Sequence, residues 1–450
     1  LKTIGEIHPD TASSYLNIGI SQQALGNTQE AIENYQKSLN IWLQTFGKIH
    51  PATAKNYLSL GKVYKELGNY GQAMEYYQQA LQSLVRHYSE DSPYIQFVLQ
   101  NYSSPSWLLT ALQEKAAILY LIYQTQSQQP LDLLAAWHTC SLASQLLDIM
   151  RQSYRAEGSK LTLAQNAQKV HTQAIDLCWE VNQRLQTHPL DDAYLRLQQL
   201  NPEHNVPMPQ KAFHYAFRCS EKSKAVVLLG NLKDKEARFA AGIPPHLLEQ
   251  EYNLRIETNY LEKQIAEEEC KNKEKQREEL LATWKTRFFE CKQQYDALVE
   301  QFEQEFPDYY VLKYQTDTAS LTDLQQALPT DTYLIEYFVS ERFIYLFAIG
   351  KNDFKVLQID KSPDFEEDVK DYLYFGIGTT GGPSQTTMRE YREFAHQLYQ
   401  TLLEPLFEAM PIPENSHLII IPDGILHSLP FETLLTHTGP PNPDYPVLPY

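Results

Sequence analysis

Nucleophiles and general bases are sparse in this sequence. Five cysteines stand at positions 140, 178, 219, 270 and 291, among thirteen histidines. Their odd number, their wide spacing and the lack of any CxxC pair argue against a disulfide framework or a zinc site. Reduced thiols in a cytoplasmic setting are the simplest expectation, with no metal and no cofactor. His138 and Cys140 sit two apart in a helix-like run, which turns them to different faces and argues against a catalytic pair. Cys291 falls on an apolar seam and reads as a small core residue. The Gly-rich run 376–383 lacks the Lys-Ser/Thr of a phosphate-binding loop and no apolar strand feeds it, so a flexible connection is expected. His427 stands in the most informative stretch, just after Pro422, Asp423 and Gly424. A different kind of chemistry is offered near the start, where Lys55, Ser59 and Lys62 lie at i, i+4 and i+7 on one helix face. With Asn17, the counterpart of Ser59, this row could clamp the backbone or an acidic end of an extended peptide. A solvated helix face is the plainer reading of the same row.

The element that must position this row is an internal repeat. Residues 3–12 return at 45–54, an offset of 42 that persists at Tyr15/Tyr57, Gly19/Gly61, Gly26/Gly68, Ala31/Ala73 and Tyr35/Tyr77. Small residues let two helices approach, tyrosines fill the space between them, and Gly26 or Gly68 makes the turn. The pattern is similar to a tetratricopeptide helix-turn-helix unit in a 42-residue form with a His-Pro loop. The first ten residues read as the tail of a repeat, so further repeats are expected before residue 1.

From about 105 to 245 the pattern stays helical without the repeat consensus. Pro105 and Pro130 open apolar helices, and further helices are expected over 160–186 and 209–240, extending the solenoid as degenerate hairpins. After Gly242 to Pro245, a heptad seam runs through Leu281, Trp284, Phe288, Cys291, Tyr295, Leu298 and Phe302, matched upstream by Leu247, Leu254, Leu261 and Ile265. An antiparallel coiled hairpin is expected, with 267–279 as its solvated tip.

Beyond Pro307 the periodicity alternates. Strands are expected over 332–339, 343–349 and 354–359, then helices over 363–374 and 388–409. The apolar run 418–421 reads as a buried parallel strand that Pro422, Asp423 and Gly424 end with a tight turn. Strands, helices and then a buried strand are the opening of an α/β domain.

In order, the repeats, the helix from Ala216 to Ala225, the Gly242–Pro245 segment, the hairpin, the Leu398–Leu406 helix and the motif Ile421, Pro422, Asp423, Gly424, Leu426, His427, Leu429, Pro430, Phe431 and Glu432 resemble the CHAT family. These are caspase-like domains associated with tetratricopeptide repeats. The resemblance implies a caspase/separase-type cysteine peptidase fold, with a His and a Cys at the ends of neighbouring parallel strands, commonly serving bacterial defence or programmed cell death. In that family the His lies in a His-x-x-His-Gly segment and the Cys in Ser-Ala-Cys, both after the Pro-Asp-Gly motif. None of the thirteen histidines here precedes Gly and none of the cysteines follows Ala. No catalytic residue is therefore assigned, His427 is given a structural place, and the dyad is expected beyond Tyr450.

The fold class expected is mostly α, a tetratricopeptide-type solenoid plus helical hairpin, followed by a partial α/β caspase-like domain. The divisions expected are repeats over 1–90, degenerate repeats over 91–245, the hairpin over 246–306 and the α/β part over 307–450. The formal charge of −18 resolves into +1 for 1–245, −6 for 246–306 and −13 for 307–450. That balance argues against a broad basic surface for nucleic acid. No apolar run approaches the roughly 20 residues of a membrane span. Protein or peptide partners in the repeat groove, and neither nucleic acid nor membrane, are the expectation. A non-catalytic repeat scaffold with a pseudo-enzyme C-terminal domain is the rival reading.

Overall fold

The structure, a computed structural model, describes residues 7–88, 90–153, 157–224, 243–269, 277–306, 319–377 and 385–438. The chain divides into two compact units, one holding residues 1–212 and 225–317, the other 213–224 and 318–450.

The first unit begins with two helical hairpins. α1 (Pro9–Ala24) packs on α2 (Thr28–Phe46), and α3 (Pro51–Glu66) packs on α4 (Tyr70–Leu84). The His-Pro pairs act as helix starts. His8 and His50 accept hydrogen bonds at Nδ1 from the Asp10 and Ala52 amides, while Pro9 and Pro51 occupy a position that needs no N–H. The matched glycines have the packing role expected of them. A Cβ on Gly61 would lie 2.5 Å from the Tyr77 ring, and one on Gly19 2.6 Å from Tyr35, so either addition would force the helices apart. Gly26 and Gly68, at φ +80° and +73°, end α1 and α3 in the left-handed region.

α5 (Pro105–Ile122), α6 (Pro130–Ser153), α7 (Glu157–Thr187) and α8 (Asp191–Leu200) follow, with α5 packed on α4, α6 on α5, and α7 and α8 on α6. The two prolines open their helices as their restricted geometry dictates. Leu112, Leu119, Trp137, Leu146 and Ile175 are buried in the core between these helices.

A ninth helix, α9, is described over 212–224 and belongs almost entirely to the second unit. This differs from the expected solenoid helix over 209–240, of which 225–240 lie outside the described residues. α10 (Pro245–Glu269) and α11 (Glu278–Glu305) pack against each other through Leu247, Leu254 and Leu261 on one side and Cys291, Leu298 and Phe302 on the other. Residues 270–276 of the expected tip lie outside the described residues. Glu268 is buried rather than solvated: its carboxylate accepts from the Nε, Nη2 and backbone amide of Arg277 at 3.2, 2.7 and 3.0 Å. The guanidinium thus clips the start of α11 to the end of α10.

The second unit contains a four-stranded sheet. α12 (Leu321–Ala327) opens on a Ser320/Asp323 capping box, and β1 (Thr332–Val339), β2 (Phe343–Ile349), β3 (Phe354–Asp360) and β4 (His417–Ile421) pair in the order β3-β2-β1-β4. β1 pairs antiparallel with β2 and parallel with β4, Ile335 lying opposite Ile420. Side-chain alternation divides the sheet into two faces. Ile335, Tyr337, Ile344, Leu346 and Ala348 share a core with residues of α13 (Phe365–Ile377), α14 (Gln385–Leu402) and α15 (Glu404–Ala409). The other face, with Phe338, Tyr345 and Phe347 buried, receives α9: the Phe217 ring meets those of Phe347 and Phe354 at 5.7 and 6.4 Å.

Two details depart from the sequence reading. The helix expected over 388–409 breaks at Leu403, because Pro405 cannot donate to the carbonyl one turn back and its ring crowds it. β4 is parallel as expected but is not buried. It pairs only with β1 among the described strands, and Ile419 is 46% exposed.

Candidate functional site

The four residues of the expected binding row differ in their surroundings. Asn17 and Lys62 are exposed on their helices. Ser59 turns its hydroxyl to its own helix, donating to the Lys55 carbonyl at 3.1 Å. Lys55 alone borders a cavity, its ammonium 5.5 Å from the centroid of the Trp107 ring. That distance is within the range of a cation–π contact.

The cavity, of about 340 Å³, lies among α1, α2, α3 and α5 and is walled chiefly by Leu16, Trp42, Phe46, His50, Lys55 and Trp107. Trp42, Phe46 and His50 form a stack, with centroids 5.4 Å apart from Trp42 to Phe46 and 4.4 Å from Phe46 to His50. Burial lowers the His50 pKa, so the ring is neutral near pH 7. Its Nδ1 accepts from the Ala52 amide at 3.2 Å, which places the ring proton on Nε2. A neutral N–H donor, one ammonium and Ser13 are thus set in a wall that is mainly aromatic and aliphatic. Sequence reasoning found Lys55 and missed the aromatics. The available signal was the four-residue spacing of 42 and 46, which aligns two rings at the end of α2; His50 joins them across the Gly47 turn.

At the sheet, the Pro422–Gly424 turn fastens the ends of the parallel pair. Asp423 Oδ2 accepts from the Val339 amide at 2.7 Å, and Gly424 turns the chain at φ +56°. Leu426, Leu429, Phe431 and Leu434 then enter the core, Phe431 stacking on Tyr337 at 5.4 Å. Tyr337 donates to the Leu402 carbonyl at 2.8 Å. His427 is exposed and its Nδ1 donates to the Gly424 carbonyl of its own turn at 2.9 Å. Cys140, Cys178, Cys219 and Cys291 are buried, and Cys270 lies outside the described residues. Burial raises the Cys291 pKa, aided by Glu257, which leaves a protonated and inert thiol. Among the described residues no cluster of His, Cys, Asp and Glu could hold a metal, and no helix is long and apolar enough to cross a membrane.

Each unit also buries a charge. On the α9 face, Glu336 accepts from the Ser220 hydroxyl and lies 2.9 Å from Lys224 Nζ. Burial and the neighbouring Glu336 push the Glu221 carboxyl up to about 8. In the helical unit, Lys115 is fully buried, its ammonium donates to Gln96 Oε1 at 3.5 Å, and burial lowers its pKa to about 7. Beside it, burial, His204 and Lys115 lower His138 to about 3.

The geometry defines a helical-repeat region and an α/β unit whose β1 and β4 run parallel. The tetratricopeptide repeat model matches residues 10–84 and the CHAT domain model matches residues 392–446, which span α14, α15, β4 and the Pro-Asp-Gly turn. The chain thus combines tetratricopeptide repeats with a CHAT-domain segment, the pairing its motifs resemble. Among curated proteins no match was found.

Proposed function

We propose that the chain is the helical docking or sensor arm of a caspase-like cysteine peptidase joined to the opening of its catalytic domain, working in the cytoplasm in bacterial signalling or defence. The divisions at 90, 245 and 306 belong to the same proposal. The observation that carries it is the parallel β1–β4 pair ended by the Asp423–Val339 bond, within a segment that the CHAT model matches. Such strand ends are where a peptidase of this type would hold its His and Cys. By itself the chain is expected to be inert, since covalent catalysis needs an accessible thiolate beside a base and the four described cysteines are buried. The same burial favours the second reading, a repeat scaffold that binds protein partners and carries a pseudo-enzyme domain.

Two measurements separate them. Incubated with fluorogenic Arg- or Lys-containing peptides under reducing conditions, the 450-residue chain releases no product on either reading. Thiol-dependent release would mean that one of its five cysteines is catalytic. Reading the coding sequence on past Tyr450 decides the rest. A His-Gly and an Ala-Cys segment there, with cleavage abolished by Cys→Ala in the extended chain, support the peptidase. Their absence overturns it and leaves the scaffold.

A further inference from the structure

We propose that His138 is the trigger of an acid-opened latch in the helical unit: protonation of its ring frees the turn 201–208 and the loop 90–104 from α5 and α6. The feature behind this is a set of bases brought together from three stretches of chain. His138 of α6 and Lys115 of α5 are closed to solvent. The His204 ring, half-buried in the turn after α8, lies edge-on to His138 with centroids 5.5 Å apart. The Nδ1 of His138 meets no hydrogen-bond partner among the described residues. The cover over these groups is polar and irregular. Asn201 Oδ1 accepts from the Gln96 amide at 2.7 Å, and its Nδ2 donates to the Tyr94 carbonyl at 2.9 Å. The Gln96 side chain donates to the Thr139 hydroxyl at 2.7 Å and accepts from Lys115.

Charge decides how the cluster responds to acid. Burial, then His204 and Lys115, hold the His138 pKa down at about 3. Burial also lowers His204, although Glu203 and the Gln96 backbone favour its charged form. Other ionisable groups on the packed elements are engaged elsewhere or add to the basic set. Asp132 of α6 accepts from the Tyr94 and Ser127 hydroxyls, and Arg196 of α8 acts on Tyr94. Glu114 of α5 pairs with Lys65, Asp176 and Glu180 of α7 act on Tyr120, and α7 brings a further buried base, His171.

Once solvated, the His138 ring returns to its ordinary value near 6.5. Between about 6.5 and 3 the open form binds a proton that the closed form does not, so opening is favoured about tenfold per pH unit as pH falls. His204 acts in the same direction. The Lys115 slope lies above neutral, so in the acid range its ammonium is a fixed charge beside the ring. Opening occurs at the cover because water can satisfy the polar groups of an irregular turn and loop, whereas α5 and α6 are continuous helices. The latch does not rest on the docking or sensor reading. It gives the helical unit one signal, acidification, whatever that unit binds.

The test is hydrogen exchange by mass spectrometry on the full chain from pH 7.5 to 4.5, corrected for the intrinsic pH dependence of exchange. The Gln96 and His204 amides, bonded to Asn201 Oδ1 and the Asn201 carbonyl, report the cover. Their protection is expected to fall about 100-fold between pH 6.5 and 4.5 and to recover at pH 7.5, while α3, α4, β1 and β2 keep theirs. His138→Gln should remove most of the fall. His204→Asn should reduce it, and Lys115→Met should move its onset to lower pH by deleting a cation beside the ring. A profile flat to pH 4.5, or a fall that His138→Gln leaves unchanged, would overturn the proposal. So would loss of protection throughout α5 to α8 at the same pH, which is acid unfolding of the whole unit. If His138→Gln does not fold, the other two variants decide, and wild-type profiles in both would overturn it.

Discussion

Glu336 in the sheet unit and Lys115 in the helical unit are both closed to solvent, but they are accommodated differently. Glu336 projects from the middle of β1 into a face shared with Phe338, Tyr345 and Phe347, and α9 brings it a hydroxyl from Ser220 and an ammonium from Lys224. Lys115 projects from α5 and, among the described residues, donates to the Gln96 side chain beside two histidines. A buried charge costs several kcal/mol to desolvate, and the two ways out are a partner or loss of the charge. The sheet unit uses the partner, and the helical unit brings the amine's pKa down to about 7, so that it sheds its proton readily. The difference teaches that α9 is a required part of the sheet unit, whereas the Lys115 site holds together despite its amine.

The largest expected effect comes from removing the partner. Lys224→Ala removes the cation beside the buried Glu336, leaving it Ser220 and the Glu221 carboxyl, and should cost the sheet unit about 3–5 kcal/mol. Hydrogen exchange of the β1 and β2 amides in rising denaturant would read this loss. Adding Glu336→Gln should recover part of it by deleting the stranded charge. A loss below about 1 kcal/mol would show that water reaches Glu336 and would break the comparison.

Next in size is Lys115→Met, which removes an amine with no ion-pair partner among the described residues at nearly constant volume and should stabilise the helical unit by about 1–2 kcal/mol. All five tryptophans, at 42, 107, 137, 179 and 284, lie in that unit, so their fluorescence in a denaturant titration reports it selectively. Destabilisation would mean that the amine has a partner in solution.

The remaining effects are pH slopes of opposite sign, small over any one pH unit. Lys115 falls from its ordinary 10.5 to about 7 on folding. Between those values the unfolded chain binds the extra proton, so this group makes stability rise with pH from about 7 to 10.5 and fall away towards neutral. Glu221 rises from 4.5 to about 8. There the folded state binds the extra proton, so its contribution is complete below about 4.5 and is lost as pH climbs through 8. Lys115→Met should flatten the first slope in tryptophan-detected unfolding, and Glu221→Gln the second in sheet-amide exchange. If each variant also altered the slope of the other unit, the two sites would not be independent.

Much of the architecture was legible in the residues themselves. The 42-residue offset, with glycine against tyrosine at 19/35 and 61/77, is a local packing code, and local spacing is what a sequence displays directly. Alternation placed β1, β2 and β3 to within a residue, and the heptad seam located α10 against α11. The cavity beside Lys55 was less legible. Lys55 was singled out by its row on one helix face, but of its neighbours only His50 belongs to the start of its own helix, while Trp42 and Phe46 come from α2 and Trp107 from α5. Tertiary packing, rather than any spacing along one helix, brings Trp107 of α5 to α3.

By itself, then, the sequence determined the repeat, the strands, the Pro-Asp-Gly turn and the lack of a His-Gly or Ala-Cys segment, all properties of residues near one another along the chain. Only the tertiary structure decided that α9 leaves the helical series to close the sheet, that Glu336 is paired while Lys115 is not, and that one lysine of the row faces an aromatic cavity. Those outcomes join residues as much as 116 positions apart, as Ser220 and Glu336 are. The free energy that selects them is burial of apolar surface and pairing of buried charge, which neither partner's local sequence displays.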